Sequence, residues 1–277
     1  MTNYKTILVA VDFSTGSRAA LNEACRLSIQ HGAKLQVLHV VDSMAVAALL
    51  DSHGGVYEKQ AEVAARGAST ALARWLDGVT LPENYEATVA VGVPLHEIME
   101  HLSRWQADLL VAGVVGAGGV QPGAGSIASK LARKAPGRVL LVSAHAPFEF
   151  RRIVACIDFS DASRAVAAEA QRVAVMEHAH VDFLHVWQEP WLMMSYDAPV
   201  ADATTEFRDS YIKDLRQMLK EFVKESTAAI KYDHVMINGA NHGQAIAEHA
   251  KETKADLIIV GGKGRTNLRY VLLGSTA

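Results

Sequence analysis

The chain has 277 residues, half of them apolar and 21% charged, with a net charge of −3 from interspersed acids and bases. That composition excludes disorder and collagen-like repetition, and it leaves no basic footprint for nucleic acid or an anionic membrane surface. Apolar runs such as 44–50 and 257–260 fall far short of the roughly 20 residues that cross a bilayer, so no membrane span is expected. The N-terminal MTNYKTILVAVDFS has no small-residue cleavage site, and a cytoplasmic location is the expectation. Cys25 and Cys156 cannot build a disulfide framework, and neither stands in a CxxC or a Cys/His zinc pattern. At roughly 100 to 200 residues per domain, the length predicts two domains.

In chain order, residues 6–11 form a short β-branched run that predicts a buried parallel strand. Ser14 or Thr15 can cap the following helix, which carries Ala19, Ala20, Glu23, Ala24 and Leu27 and stops at His31-Gly32. A second strand is predicted at 35–41, a helix around 57–76 and a strand near 87–91. Pro94 opens a helix to about residue 105, a strand follows at 108–112, and after a glycine-rich loop come a helix at 127–134 and a strand at 138–142. The chain then repeats itself. Residues 5–40 align without a gap to 151–186 with fourteen of 36 positions identical, where about two would match by chance. ADLLVAGVVG at 107–116 likewise matches ADLIIVGGKG at 255–264. Two homologous units therefore stand in tandem, 1–147 and 148–277, joined by a His-Ala-Pro stretch. Strands alternating with helices make βαβ units, hence an open parallel sheet covered on both faces. In the second unit Phe207, Tyr211, Leu215, Phe222 and Val223 make one helical stripe, which predicts core.

Ligands of doubly wound sheets sit beyond the carboxyl ends of the strands, where the strand order reverses. Asp12 and Asp158 follow the first strand of each unit in the contexts VAVDFS and ACIDFS. Such a carboxylate can meet an amino group or ribose hydroxyl, or cap the next helix, and the residues alone leave both open. The loop GGKGRTNLRYVLLGS frames Lys263, Arg265 and Arg269 between Gly261, Gly264 and Gly274-Ser275, a set suited to phosphates. It is not a Walker A loop, since GxxxxGK[ST] occurs nowhere. GAGSIA at 123–128 imitates a dinucleotide fingerprint but lacks a strand directly before it and an acid about 20 residues on. His96 and His101 share a helix with Glu97 and Glu100, yet five residues place them about 140° apart, which favours a solvated face. The pairs His178/His180 and His242/His249 are similarly weak as metal signals, and His39 and His185 are expected to support the end of the second strand. No nucleophile and base arrangement recurs in both units, so no catalytic residue is assigned.

These residues resemble the universal stress protein family, and the chain resembles its tandem members. The family motif is G, two residues, G, nine residues, then G-S or G-T, and Gly261, Gly264, Gly274 and Ser275 reproduce it. The resemblance implies, for each unit, a five-stranded parallel sheet of order 3-2-1-4-5 that binds ATP between strands one and four. It implies that Asp158 meets the adenine end, that Val186 packs beside it, and that the glycines, Arg265 and Ser275 lie along the ribose and phosphates. Whether Mg²⁺ accompanies the phosphates is left open. In the first unit Asp12 and Val40 are kept, but Gly113 and Gly116 are followed by only eight residues before Gly125-Ser126, and the loop has no basic side chain. Measured against the first unit, the second ends before its last helix and strand, so truncation or a strand-complementing partner chain is expected, with a homodimer as the other candidate assembly. The expected function is nucleotide-dependent stress-response regulation with little or no hydrolysis. The alternative is a carrier of another ligand or a protein-interaction module, to which the apolar inserts at 44–50 and 191–194 could contribute.

Overall fold

The computed structural model describes residues 3–53, 55–115, 126–189 and 205–262. The chain divides into two compact units, Met1–Ala146 and Pro147–Thr276. In the first, the elements run β1 (Thr6–Val11), α1 (Thr15–His31), β2 (Lys34–Asp42), α2 (Ser43–His53), α3 (Tyr57–Leu76), β3 (Tyr85–Gly92), α4 (Pro94–Arg104), β4 (Leu109–Gly113), α5 (Ser126–Lys134) and β5 (Arg138–Val142). They form a parallel sheet of order β3-β2-β1-β4-β5. The second unit runs β6 (Arg152–Cys156), α6 (Asp161–Glu177), β7 (His180–Trp187), α7 (Thr205–Val223), β8 (Lys231–Asn238), α8 (His242–Thr253) and β9 (Leu257–Ile259). Among the described residues its sheet has four strands, in the order β8-β7-β6-β9.

Both faces are covered over β1 and β4 of the first sheet and over β6 and β7 of the second, which is why these strands read as unbroken apolar runs. Ile7, Val9 and Val11 of β1 point into a core with Leu21, Leu35, Val37 and Leu72, whereas Leu8 joins Leu38, Ile98, Leu102, Leu110 and Leu131 on the other face. In β6 the same alternation sends Ile153 and Ala155 one way and Val154 and Cys156 the other. Each fully buried Leu or Ile contributes about 1.5–3 kcal/mol from burial. A carboxylate beside the last inner strand ties down the start of the first: Asp108 accepts from the backbone N–H of Lys5 (2.7 Å) and Thr6 (3.0 Å), and Asp256 from Arg151 (2.8 Å) and Arg152 (2.9 Å). No helix among the described residues is long and apolar enough to cross a membrane.

One expectation is corrected. The stripe on α7 is core only at its end: Leu219 and Val223 are fully buried, but Phe207 is 55% exposed, because only the last turns of the helix join the core. The apolar insert at 44–50 is the helix α2, in which Val46 is buried while Met44 and Leu49 face solvent. The insert at 191–194 lies outside the described residues.

Candidate functional site

At the carboxyl end of each first strand the two units build the same turn. Asp12 follows β1, and its Oδ1 accepts from Ser14 N (3.1 Å) and Ser14 Oγ (2.5 Å). Ser14 in turn caps α1, its side chain accepting from Ser17 N (3.1 Å). Asp158 Oδ1 accepts from Ser160 N (3.1 Å) and Ser160 Oγ (2.5 Å), and from Ser163 Oγ as well. Ser160 caps α6. The aspartates thus buttress the capping serines rather than capping the helices themselves, and the pattern D-x-S-x-x-S carries the whole arrangement.

The residue after each aspartate is a phenylalanine in the left-handed region, Phe13 at φ 64° and Phe159 at φ 60°. Bulky side chains adopt this conformation only where the surroundings hold them. Here the ring of Phe13 lies 4.3 Å from His39 and 5.6 Å from Trp75, and that of Phe159 lies 4.5 Å from His185 and 5.5 Å from Phe222. Each histidine sits by its Nδ1 on the backbone carbonyl at the end of the first strand, His39 on Val11 (2.9 Å) and His185 on Ile157 (2.8 Å). A carbonyl only accepts, so Nδ1 carries the hydrogen in both. Burial holds His185 below the usual imidazole range, against the opposing hydrogen bond to Ile157, and the nearby His242 pushes the same way as burial. His242, at the start of α8, is itself lowered by burial.

Strands β6 and β9 are parallel neighbours, with Ala155 opposite Ile259, so Asp158 and Gly261 leave the sheet side by side at the point where the strand order reverses. Val186 is buried near the end of the adjacent β7. In the first unit Asp12, Val40 and Gly113 take the corresponding places on β1, β2 and β4. The glycines that end these strands have a packing reason independent of any ligand. A Cβ on Gly113 would lie 2.7 Å from the Gly16 backbone, and one on Gly261 would lie 3.1 Å from the Ala162 Cβ. The units then diverge: a Cβ on Gly16 would lie 2.2 Å from the Val115 carbonyl oxygen, whereas the second unit has Ala162 at the matching position. In the first unit the chain leaving β4 therefore presses directly on the first turn of α1. Ser126 opens α5, while Gly116, Gly125, Gly264, Arg265, Gly274 and Ser275 lie outside the described residues. A cavity of about 390 Å³ lies elsewhere in the first unit, between α3 and β3, lined by Leu72, Leu76, Leu81 and Tyr85.

The opposite, amino end of the second sheet holds a cluster that sequence spacing did not reveal. Asp182 is buried, and around it stand His180 and His249 with Nε2 atoms 3.3 and 3.0 Å from its two oxygens, and Arg152 Nη2 at 3.4 Å from both. His180 Nε2 also lies 3.0 Å from Asp233 Oδ2.

The model of the universal stress protein family matches this chain twice, over residues 3–143 and 149–277. The chain belongs to the universal stress protein family. Universal stress protein A homolog 1 of Coxiella burnetii is 30% identical over 148 residues, which is 50% of this chain and 96% of that protein. Universal stress protein YxiE of Bacillus subtilis is 27% identical, covering 46% of this chain and 89% of its own. Each of these relatives therefore has about the length of one unit. A solved universal stress protein from Archaeoglobus fulgidus covers 93% of the chain, and 86% of its own, with a TM-score of 0.58 at 16% identity, a likeness of fold.

Proposed function

We propose that the second unit binds ATP, and that this universal stress protein acts as a nucleotide-dependent regulator with little or no hydrolysis. The observation that carries the reading is the meeting of Asp158 and Gly261 beyond adjacent strands at the reversal of strand order, with Gly264 and Gly274-Ser275 following at the family's spacing. That crevice is where doubly wound sheets take their ligands. Val186 offers an apolar wall one strand away, and Arg265 supplies a cation to a loop whose glycines allow backbone amides close to phosphate. Because packing against α6 accounts for Gly261 and the turn shared by both units accounts for Asp158, specificity for nucleotide rests on the later loop residues.

The first unit has the same turn without the basic loop, and Val115 pressed on Gly16 where the crevice would open. It is read as a pocket without ATP, whose partner is another ligand or a protein surface meeting the exposed Met44 and Leu49.

Equilibrium binding of labelled ATP to the full chain tests both units. One ATP per chain is expected, with at least tenfold weaker binding in Asp158→Ala and Gly264→Val and no change in Asp12→Ala. Binding that is not saturable, or that survives both second-unit variants, overturns the proposal. Phosphate release no faster than a protein-free control is expected for a regulator. Mass spectrometry of small molecules co-purified with the Asp158→Ala protein would reveal a ligand of the first unit.

A further inference from the structure

We propose that His180, Asp182 and Asp233 form a binding site for one divalent transition-metal ion of the zinc class at the amino end of the second sheet, remote from the nucleotide crevice. The three ligand atoms converge within 4.8 Å of one another. His180 Nε2 stands 3.3 Å from Asp182 Oδ1 and 3.0 Å from Asp233 Oδ2. Two ligands each about 2.1 Å from a tetrahedral zinc ion lie about 3.4 Å apart, so these atoms already have nearly the spacing of a coordination shell.

Charge favours the same conclusion. A neutral imidazole has at most one hydrogen on Nε2, which cannot fully satisfy two carboxylates. Arg152, at 3.4 Å, supplies one positive charge against the two aspartates. A dication between His180 and the carboxylates would bind both anions at once. Nitrogen with carboxylate oxygen is a donor set for zinc and its neighbours rather than for calcium, which takes six to eight oxygens. The ligands are held in place from behind: His249 of α8 bonds the other oxygen of Asp182 at 3.0 Å, the kind of support that fixes a ligating carboxylate. Asp182 and Asp233 are register partners across β7 and β8, so an ion here would pin those strands together.

The first unit is an internal control. There Lys34 and Gln36 occupy the β2 positions matching His180 and Asp182, and Gln36 pairs in register with Glu86 as Asp182 does with Asp233. A lysine and an amide cannot replace an imidazole and a carboxylate as ligands, so the site is predicted once per chain and not twice.

The test uses the full chain, stripped with chelator and kept free of nucleotide. Zn²⁺ is titrated by equilibrium dialysis and Co²⁺ by visible absorption. One ion per chain and a Co²⁺ ligand-field band are expected. Asp182 is buried and is left intact. His180→Ala and Asp233→Ala, with side chains 30% and 66% exposed, should each weaken binding at least tenfold with far-ultraviolet dichroism unchanged. His96→Ala, on the His96/Glu97/Glu100 group of α4 in which His96 and Glu100 are exposed, should leave binding as it is. Absence of saturable binding below millimolar metal, unchanged affinity in both second-unit variants, or loss of the ion in His96→Ala overturns the proposal. None of these readouts involves ATP, so failure here is distinct from failure of the nucleotide reading.

Discussion

Asp12, Phe13, Ser14, Ser17 and His39 make in the first unit nearly the contacts that Asp158, Phe159, Ser160, Ser163 and His185 make in the second. Away from that turn the units part company. The loop after β4 has lost its basic residues, Gly16 replaces the alanine of the other unit, and Lys34 and Gln36 stand where His180 and Asp182 form a cluster. The shared part is the one the fold itself needs. A chain leaving a buried strand must turn sharply into a helix, and a phenylalanine at positive φ has to be held there by its aromatic neighbours. An aspartate kept in that turn is therefore no proof of a ligand. The residues that differ between the units, and that the turn does not require, carry the functional information.

The largest test of this comparison concerns the covering of the inner strands. Leu110 in β4 is fully buried, whereas Ile258, its counterpart in β9, is 39% exposed. Leu110→Ala should cost about 2–5 kcal/mol in urea unfolding, and Ile258→Ala well under half of that. Equal losses would mean that β9 is covered as β4 is. Next comes Gly16→Ala, which forces a methyl group against the Val115 carbonyl and should cost about 1–3 kcal/mol, although the second unit already carries alanine at that place. A neutral outcome would show that the chain beyond β4 is free to withdraw, and would reopen the first crevice to a ligand. Smaller and equal effects are expected from Ser14→Ala and Ser160→Ala, about 1 kcal/mol each for the lost caps. A clear inequality between them would break the equivalence of the two turns.

Much of the fold was legible in the sequence because its signals are local. The gapless repeat, the β-branched strands, Ser14 ahead of α1 and Pro94 at the start of α4 each report on their own neighbourhood. The bonds of the D-x-S-x-x-S turn are just as local, two and five residues apart, yet an aspartate at a strand end reads equally as a cap or a ligand contact, so its support of the capping serine was not legible. The amino-end cluster was not legible, because Arg152, Asp182, Asp233 and His249 come from β6, β7, β8 and α8, and no spacing along the chain foretells their meeting. The steric role of Gly113 was hidden for the same reason, its cause being Gly16 at the far end of the unit. The stripe on α7 had helical spacing, but spacing does not say how far along the helix the covering partner extends, and Phe207 was left outside.

The smallest expected effect is one of pH, and it rests on three histidines of the second unit. His185, His234 and His242 of the second unit are each held below the ordinary imidazole range, in every case first by burial. A base whose pKa is lowered by folding binds its proton more readily in the unfolded chain. As pH falls from about 7.5 through the unfolded value near 6.5, the unfolded state therefore gains protons first, and stability declines until the folded histidines are protonated as well. Above that window the penalty is absent. His185 has the strongest structural reason, because its ring is packed on Phe159 with Nδ1 committed to Ile157. In His185→Gln the amide cannot take up a proton, so the loss of urea stability between pH 7.5 and 5.5 should be smaller than in the parent protein, even though the variant is less stable at both pH values. An identical acid loss in parent and variant would remove His185 from the account and leave the burden on His234 and His242.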